Sequence, residues 1–253
     1  MIPFLKKEIL EQFRRKRVLL LGILFAAFAL MGIATAKLMP AIMEMFADEL
    51  AASGMVYDIK ESTIMDAWTQ FFKNASIPLI VVIILWSGSF TTEYQKHTLI
   101  PLVTKGLSRT GIFVSKMITA VLVWTAGYAL YLGIFYGYAE FYWGNGTVKH
   151  IGLAVTLYWL YGVWLLAILG LFSSFAETTM QVLLGVGGVF FLVTFLELIP
   201  KLPSKLPTAL TGGLSILQGS AKPSDFTTPV IIVLTCIVLC FAGGVVLIQK
   251  KKL

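Results

Sequence analysis

Residues 18 to 38 read VLLLGILFAAFALMGIATAKL, and Lys37 is their only charge. As a helix rising 1.5 Å per residue, this stretch covers roughly 30 Å, the thickness of a bilayer's hydrocarbon core. It follows Lys6, Lys7, Arg14, Arg15, Lys16 and Arg17, between which Ile2, Leu5, Ile9 and Phe13 recur at helical spacing. A basic start, an apolar run and Ala34-Thr35-Ala36 imitate a secretory signal peptide. The run is too long for a signal core, and more such runs follow. Residues 18 to 38 therefore read as a first membrane span, and residues 1 to 17 as an amphipathic helix along the inner membrane face.

Further spans are expected over 76 to 92, 112 to 137, 151 to 175, 180 to 199 and 229 to 248, which makes an all-α integral membrane protein of six transmembrane helices in a single domain. Composition agrees. Of the 253 residues 58% are hydrophobic and 13% charged, against about 45–50% and about 25% in soluble domains. The net charge of +7 does not point to nucleic acid, because the basic residues flank the apolar runs, where anionic lipid and the positive-inside rule explain them.

Six spans place both termini on one side. The terminal side collects thirteen Lys and Arg and four acids, the other seven and nine, so both termini are expected in the cytoplasm. On the outer side, residues 40 to 75 form an acidic connection with Met43, Phe46 and Leu50 at helical spacing, expected to fold as short surface helices, with Ser62 as a cap. Pro200, Pro203 and Pro207 precede an apolar run ending at Leu217. It is too short to span and too apolar to float, so a re-entrant outer segment before the last span is expected. Tyr136, Tyr138, Phe141, Tyr142 and Trp143 read as an interfacial belt. Ala129, Gly133 and Gly137 form a small-residue stripe expected to allow close helix packing, as do Gly185, Gly187 and Gly188.

Catalytic signatures are missing from the sequence. His97 and His150 fall on opposite expected sides, Ser173 and Ser174 have no His or Lys neighbour, and Cys236 and Cys240 have no His or carboxylate near them. Glu140, His150, Glu177 and Glu197 fall at span ends, so the spans offer no ionisable relay of the kind a gradient-driven carrier keeps at membrane depth. No metal site and no enzyme is expected. No Gly-x-x-x-x-Gly-Lys followed by Ser or Thr occurs. If transport uses ATP, another chain binds it and must grip a cytoplasmic element of this one.

One internal cytoplasmic segment is long enough. Residues 93 to 116 read EYQKHTLIPLVTKGLSRTGIFVSK. Thr98 is expected to cap a short helix with Pro101 in its first turn, Gly106 to end it, and Ser108 to cap the next helix. Leu99, Leu102 and Val103 would share one face, and an exposed apolar face on a cytoplasmic helix marks a contact.

This layout resembles the permease subunits of type-2 ATP-binding cassette (ABC) exporters, in particular the peptide and bacitracin-type antimicrobial branch. Glu93, Thr98, Leu99, Ser108, Arg109 and Lys116 match the family's pattern around its coupling helix, while His97 stands where many members have Gly. The resemblance implies a homodimer with two copies of an ATPase subunit, which hold ATP and Mg and drive the spans through the coupling segment, 93 to 109. It implies ATPase coupling through Glu93, Thr98, Leu99, Leu102, Val103 and Arg109. It also puts Trp86, Phe190, Phe191 and Phe195 on the substrate path, with no cofactor in this chain. The cargo expected is hydrophobic or amphipathic, a peptide first, exported across the plasma membrane of a bacterium. The alternatives are an ion-gradient-driven carrier and a non-transporting immunity or scaffold protein.

Overall fold

The computed structural model describes residues 2–46, 61–96, 98–104, 106–200 and 202–251, without the side chains of Ile100 and Leu102. Among these residues the structure is helical throughout, with no strand. Helix α1 (Ile2–Arg14) turns sharply into α2 (Arg17–Met45) at Lys16, which adopts the left-handed conformation with φ 56°. The 29 residues of α2 extend roughly 43 Å, well beyond the hydrocarbon core, at 1.5 Å each.

Next come α3 (Ile64–Asn74) and α4 (Ser76–Gln95), separated only by Ala75. Thr63, not Ser62, caps α3: its hydroxyl accepts from the Asp66 N–H at 3.3 Å, and the Asp66 carboxylate accepts from the Thr63 N–H at 2.8 Å. The expectation of a surface helix is corrected here. Ala67, Trp68, Phe71 and Phe72 fall on one face at helical spacing and are buried against α2 and the third span. Such rings bury too much apolar area to stay in water. Met43 lies within α2, and Leu50 lies outside the described residues.

After the short α5 (Ile100–Thr104), α6 (Arg109–Tyr142) packs along α2, and α7 (Ile151–Phe175) runs through the middle of the bundle. Helices α8 (Thr179–Leu196) and α10 (Thr227–Lys250) flank α7 and leave apolar faces uncovered, as lipid-exposed spans do. Among the described residues six helices are long and apolar enough to cross a membrane, with α3 and α4 taken together: Arg17–Met45, Ile64–Gln95, Arg109–Tyr142, Ile151–Phe175, Thr179–Leu196 and Pro223–Lys250.

Between α8 and α10 the chain makes short 3₁₀ turns and α9 (Gly213–Leu217), burying Pro207, Leu210, Gly213, Ile216 and Leu217 against the bundle. The fit is close enough that a Cβ on Gly213 would lie 2.9 Å from the Ala154 carbonyl oxygen. Close approach also occurs where large side chains press on glycines: Phe25 on Gly127, Trp124 on Gly162, Met117 on Gly170 and Phe172 on Gly185. The stripe at Gly133 and Gly137 meets nothing within 4 Å. Packing here is set by large side chains over small residues, not by that stripe.

Candidate functional site

The site lies at the end of the bundle that carries both termini. The α4 helix is closed by Thr98, whose N–H and hydroxyl both donate to the Glu93 carbonyl, at 3.1 and 3.4 Å. Thr98 thus caps the helix before it, not α5. Gly106, at φ 89°, ends α5 and donates its N–H to the Val103 carbonyl. Ser108 caps α6 by accepting from the Gly111 N–H at 3.1 Å.

The outward apolar face expected of this segment is not found at Leu99 and Val103. Leu99 is 2% exposed and packs with Phe4 of α1 and Ile112 of α6, and Val103, Tyr94 and Leu107 border the same cluster. A helix as short as α5 has no fold of its own, so its apolar side is needed to seat it on the bundle. Leu102 belongs to α5, but its side chain lies outside the described residues. Thr98 and Pro101 are exposed.

Arg109 turns the other way and caps the last helix. Its guanidinium donates to the carbonyls of Gln249, at 3.0 Å, and Lys251. The Lys251 ammonium donates to the Phe175 and Ala176 carbonyls and sits 3.8 Å from the Tyr94 ring centre. Gln95 reaches the Glu177 carbonyl at 3.2 Å. The 93–109 segment, the 176–178 link and the end of α10 are therefore one hydrogen-bonded unit.

Beneath α5 lies a buried charge cluster. The Lys116 ammonium, two turns into α6, is 3.1 Å from a Glu8 carboxylate oxygen and 3.0 Å from one of Glu93, with the Phe90 ring 5.6 Å below it. The Lys116 and Glu8 side chains are each 2% exposed, so the pair is shielded from water. This corrects the expectation that the spans hold no buried ionisable group. Glu8 follows Phe4 and precedes Gln12 at intervals of four, and these three form the buried face of α1. Ile2 and Phe13, on the face expected to be apolar, are exposed.

Two further groups surround the cluster. Lys7 pairs with Glu8 at 3.4 Å and Glu11 at 3.2 Å, and Arg15 pairs with Glu11 at 2.6 Å. Burial pushes the Lys7 ammonium down, but the carboxylates of Glu8, Glu11 and Glu93 outweigh it and hold its pKa above the ordinary value. Burial likewise pushes the Glu11 carboxyl up, and the charges of Lys7 and Arg15 bring it below the usual carboxylate range. Glu8, Glu11 and Glu93 bring carboxylate oxygens within 4.8 Å of one another. Since Lys116 already bridges two of them, their donors are those of an ion-pair network, not of a metal cage.

The residues expected on a substrate path separate. Trp86 is buried in the core, whereas Phe191 and Phe195 are exposed on the flank of α8. Phe190 lines a cavity of about 690 Å³ at the opposite end, between α4, α7, α8 and the 208–214 segment.

Fold and site together define a polytopic helical membrane protein with a short interhelical helix clamped at its terminal end. The family model described as ABC-2 family transporter protein matches residues 2–219, and the chain belongs to that family. It is a membrane-embedded permease subunit of an ABC transporter, a family whose members work with an ABC ATPase. No curated protein matches the chain.

Proposed function

We propose that this permease exports a hydrophobic or amphipathic molecule, a peptide in the first instance, from the cytoplasm of a bacterium. Two chains pair as a homodimer, both termini cytoplasmic, and two ATPase subunits supply ATP and Mg. The observation that carries the reading is the Lys116–Glu8–Glu93 cluster, which ties the interfacial α1 to the end of α4 and the start of α6 directly beneath α5. An ATPase gripping exposed Thr98 and Pro101, together with Leu102, pushes on a short helix seated on Phe4 and Ile112. The push reaches the spans because the ion pairs and the Arg109 cap leave no slack between α1, α4, α6 and α10.

Reconstitution with the ATPase tests this. Flux of an amphipathic cationic peptide should require ATP and should fail for Leu102→Asp, which should also lose the ATPase on co-purification. Flux that continues without ATP and follows an imposed proton or sodium gradient would overturn the reading.

A further inference from the structure

The cavity away from the termini is polar at one end and apolar at the other. Ile83, Leu183 and Val186 form its deep wall, and Lys73, Glu197 and Thr208 stand at its rim. Its volume of about 690 Å³ falls within the roughly 300–1,000 Å³ of sites that hold one small ligand. Ile80 and Ile84 line it and are half exposed along the flank of α4. A ligand therefore has an apolar approach from the side of the bundle.

The rim carries two opposite charges that no described residue satisfies: neither Lys73 nor Glu197 has an ion-pair partner among them. The Thr208 hydroxyl beside them is buried without a hydrogen-bond partner, which costs free energy unless something donates to it or accepts from it. On the wall, Gly187 has nothing within 4 Å of where its Cβ would be. Helix α8 thus spends a residue of poor helix propensity where the space is open.

We propose that this cavity seats one single-chain amphiphile with a zwitterionic head. The chain lies along Ile83, Leu183 and Val186. The head's anionic group faces Lys73, its cationic group faces Glu197, and one polar atom bonds the Thr208 hydroxyl. Binding stands on the permease alone, and only the identification of the ligand as cargo rests on the exporter reading above. A resident lipid has the same chemistry.

A lysophosphocholine with a photoreactive diazirine at the chain end is the probe, used on the permease in phosphatidylglycerol nanodiscs without ATPase. Peptide mapping should place the label on Ile83, Leu183 or Val186. Gly187→Phe directs a ring from an open wall position into the cavity and should cut labelling about tenfold, a change of about 1.4 kcal/mol in binding. Lys73→Glu should weaken the phosphocholine probe and spare an alkyl trimethylammonium analogue. Label spread over the lipid-facing residues of α10, unchanged by Gly187→Phe, would overturn the proposal. So would an Ile84→Cys disulfide between two copies that forms equally well with probe present, since a second copy would then fill the space. With ATPase and ATP added, loss of label identifies cargo and retained label a resident lipid, and the site stands in both cases. Retained label with no ATP-driven flux refutes the exporter reading and leaves the site intact.

Discussion

At the end of the bundle that carries the termini, α1, α4, α6 and α10 meet through Lys116, Glu8, Glu93 and the Arg109 cap. At the opposite end, α3 and α6 meet through rings: Phe71 lies 4.8 Å from Tyr131 and 5.0 Å from Phe135, and 5.2 Å from Trp68 of its own helix, centre to centre. Polar ring atoms there bond inward, Tyr131 to the Phe71 carbonyl at 2.7 Å and Trp143 to the Ser62 carbonyl at 2.8 Å. Ring packing is strong and indifferent to charge. Buried ion pairs add little net stability, yet breaking one is costly. The terminal end is thus held by contacts sensitive to charge, and the far end by contacts that are not.

The largest effects should come from one deletion at each end. Phe71→Ala removes a fully buried ring and should cost about 3–5 kcal/mol. Lys116→Met strips Glu93 of its ion-pair partner and leaves the buried Glu8 only the half-exposed Lys7, and it should cost about 3–5 kcal/mol as well. The two should separate on rescue: adding Glu8→Gln and Glu93→Gln to Lys116→Met should recover most of the loss in thermal unfolding, because no charge is then stranded. If Lys116→Met costs less than about 1 kcal/mol, the cluster behaves as an exposed pair and the contrast fails.

Smaller effects compare packed and open glycines. A Cβ on Gly162 would lie 2.4 Å from the Trp124 ring, which is fully buried and donates to the Trp159 carbonyl. Gly162→Ala should cost about 1–3 kcal/mol by overpacking, whereas Gly187→Ala, facing open space inside a helix, should be neutral or stabilise by up to about 1 kcal/mol. Equal costs would mean that the cavity wall is not open.

The smallest effect is a pH response confined to α1. The depressed pKa of Glu11 stabilises its docking above the ordinary carboxyl value near about 4.3, and that contribution fades as pH falls through the lower folded value. The raised pKa of Lys7 contributes below its ordinary value near about 10.4 and is lost as pH rises past the folded one. Both groups are partly exposed, so each contribution stays under about 1 kcal/mol. Amide exchange in α1 should rise at pH 3 while that around Phe71 does not change, and a uniform response would dissolve the distinction between the ends.

Hydropathy made the six apolar helices legible because an apolar run long enough to cross a bilayer has few other uses. Gly106 and Ser108 were legible because ending or capping a helix is local chemistry. The orientation of short elements was not. Five residues of α5 contain little more than one turn, so nothing in them tells whether Leu99 faces a partner or the bundle, and Phe4 and Ile112, far off in sequence, decide it. Glu8 stands among the basic residues of α1 with nothing local to mark it as buried; only the depth of Lys116 in α6 reveals its partner. Trp68, Phe71 and Phe72 did carry a signal, three large rings on one helical face, which the acidic stretch before them obscured.

ATP-driven flux through the neutralised variant, Lys116→Met with Glu8→Gln and Glu93→Gln, tests the central claim most directly. The variant should fold, insert and retain the ATPase on co-purification, yet lose at least about tenfold in flux, because the ion pairs beneath α5 no longer carry the movement to α1 and the spans. Flux at the level of the parent protein, with the ATPase bound, would show that those pairs transmit nothing.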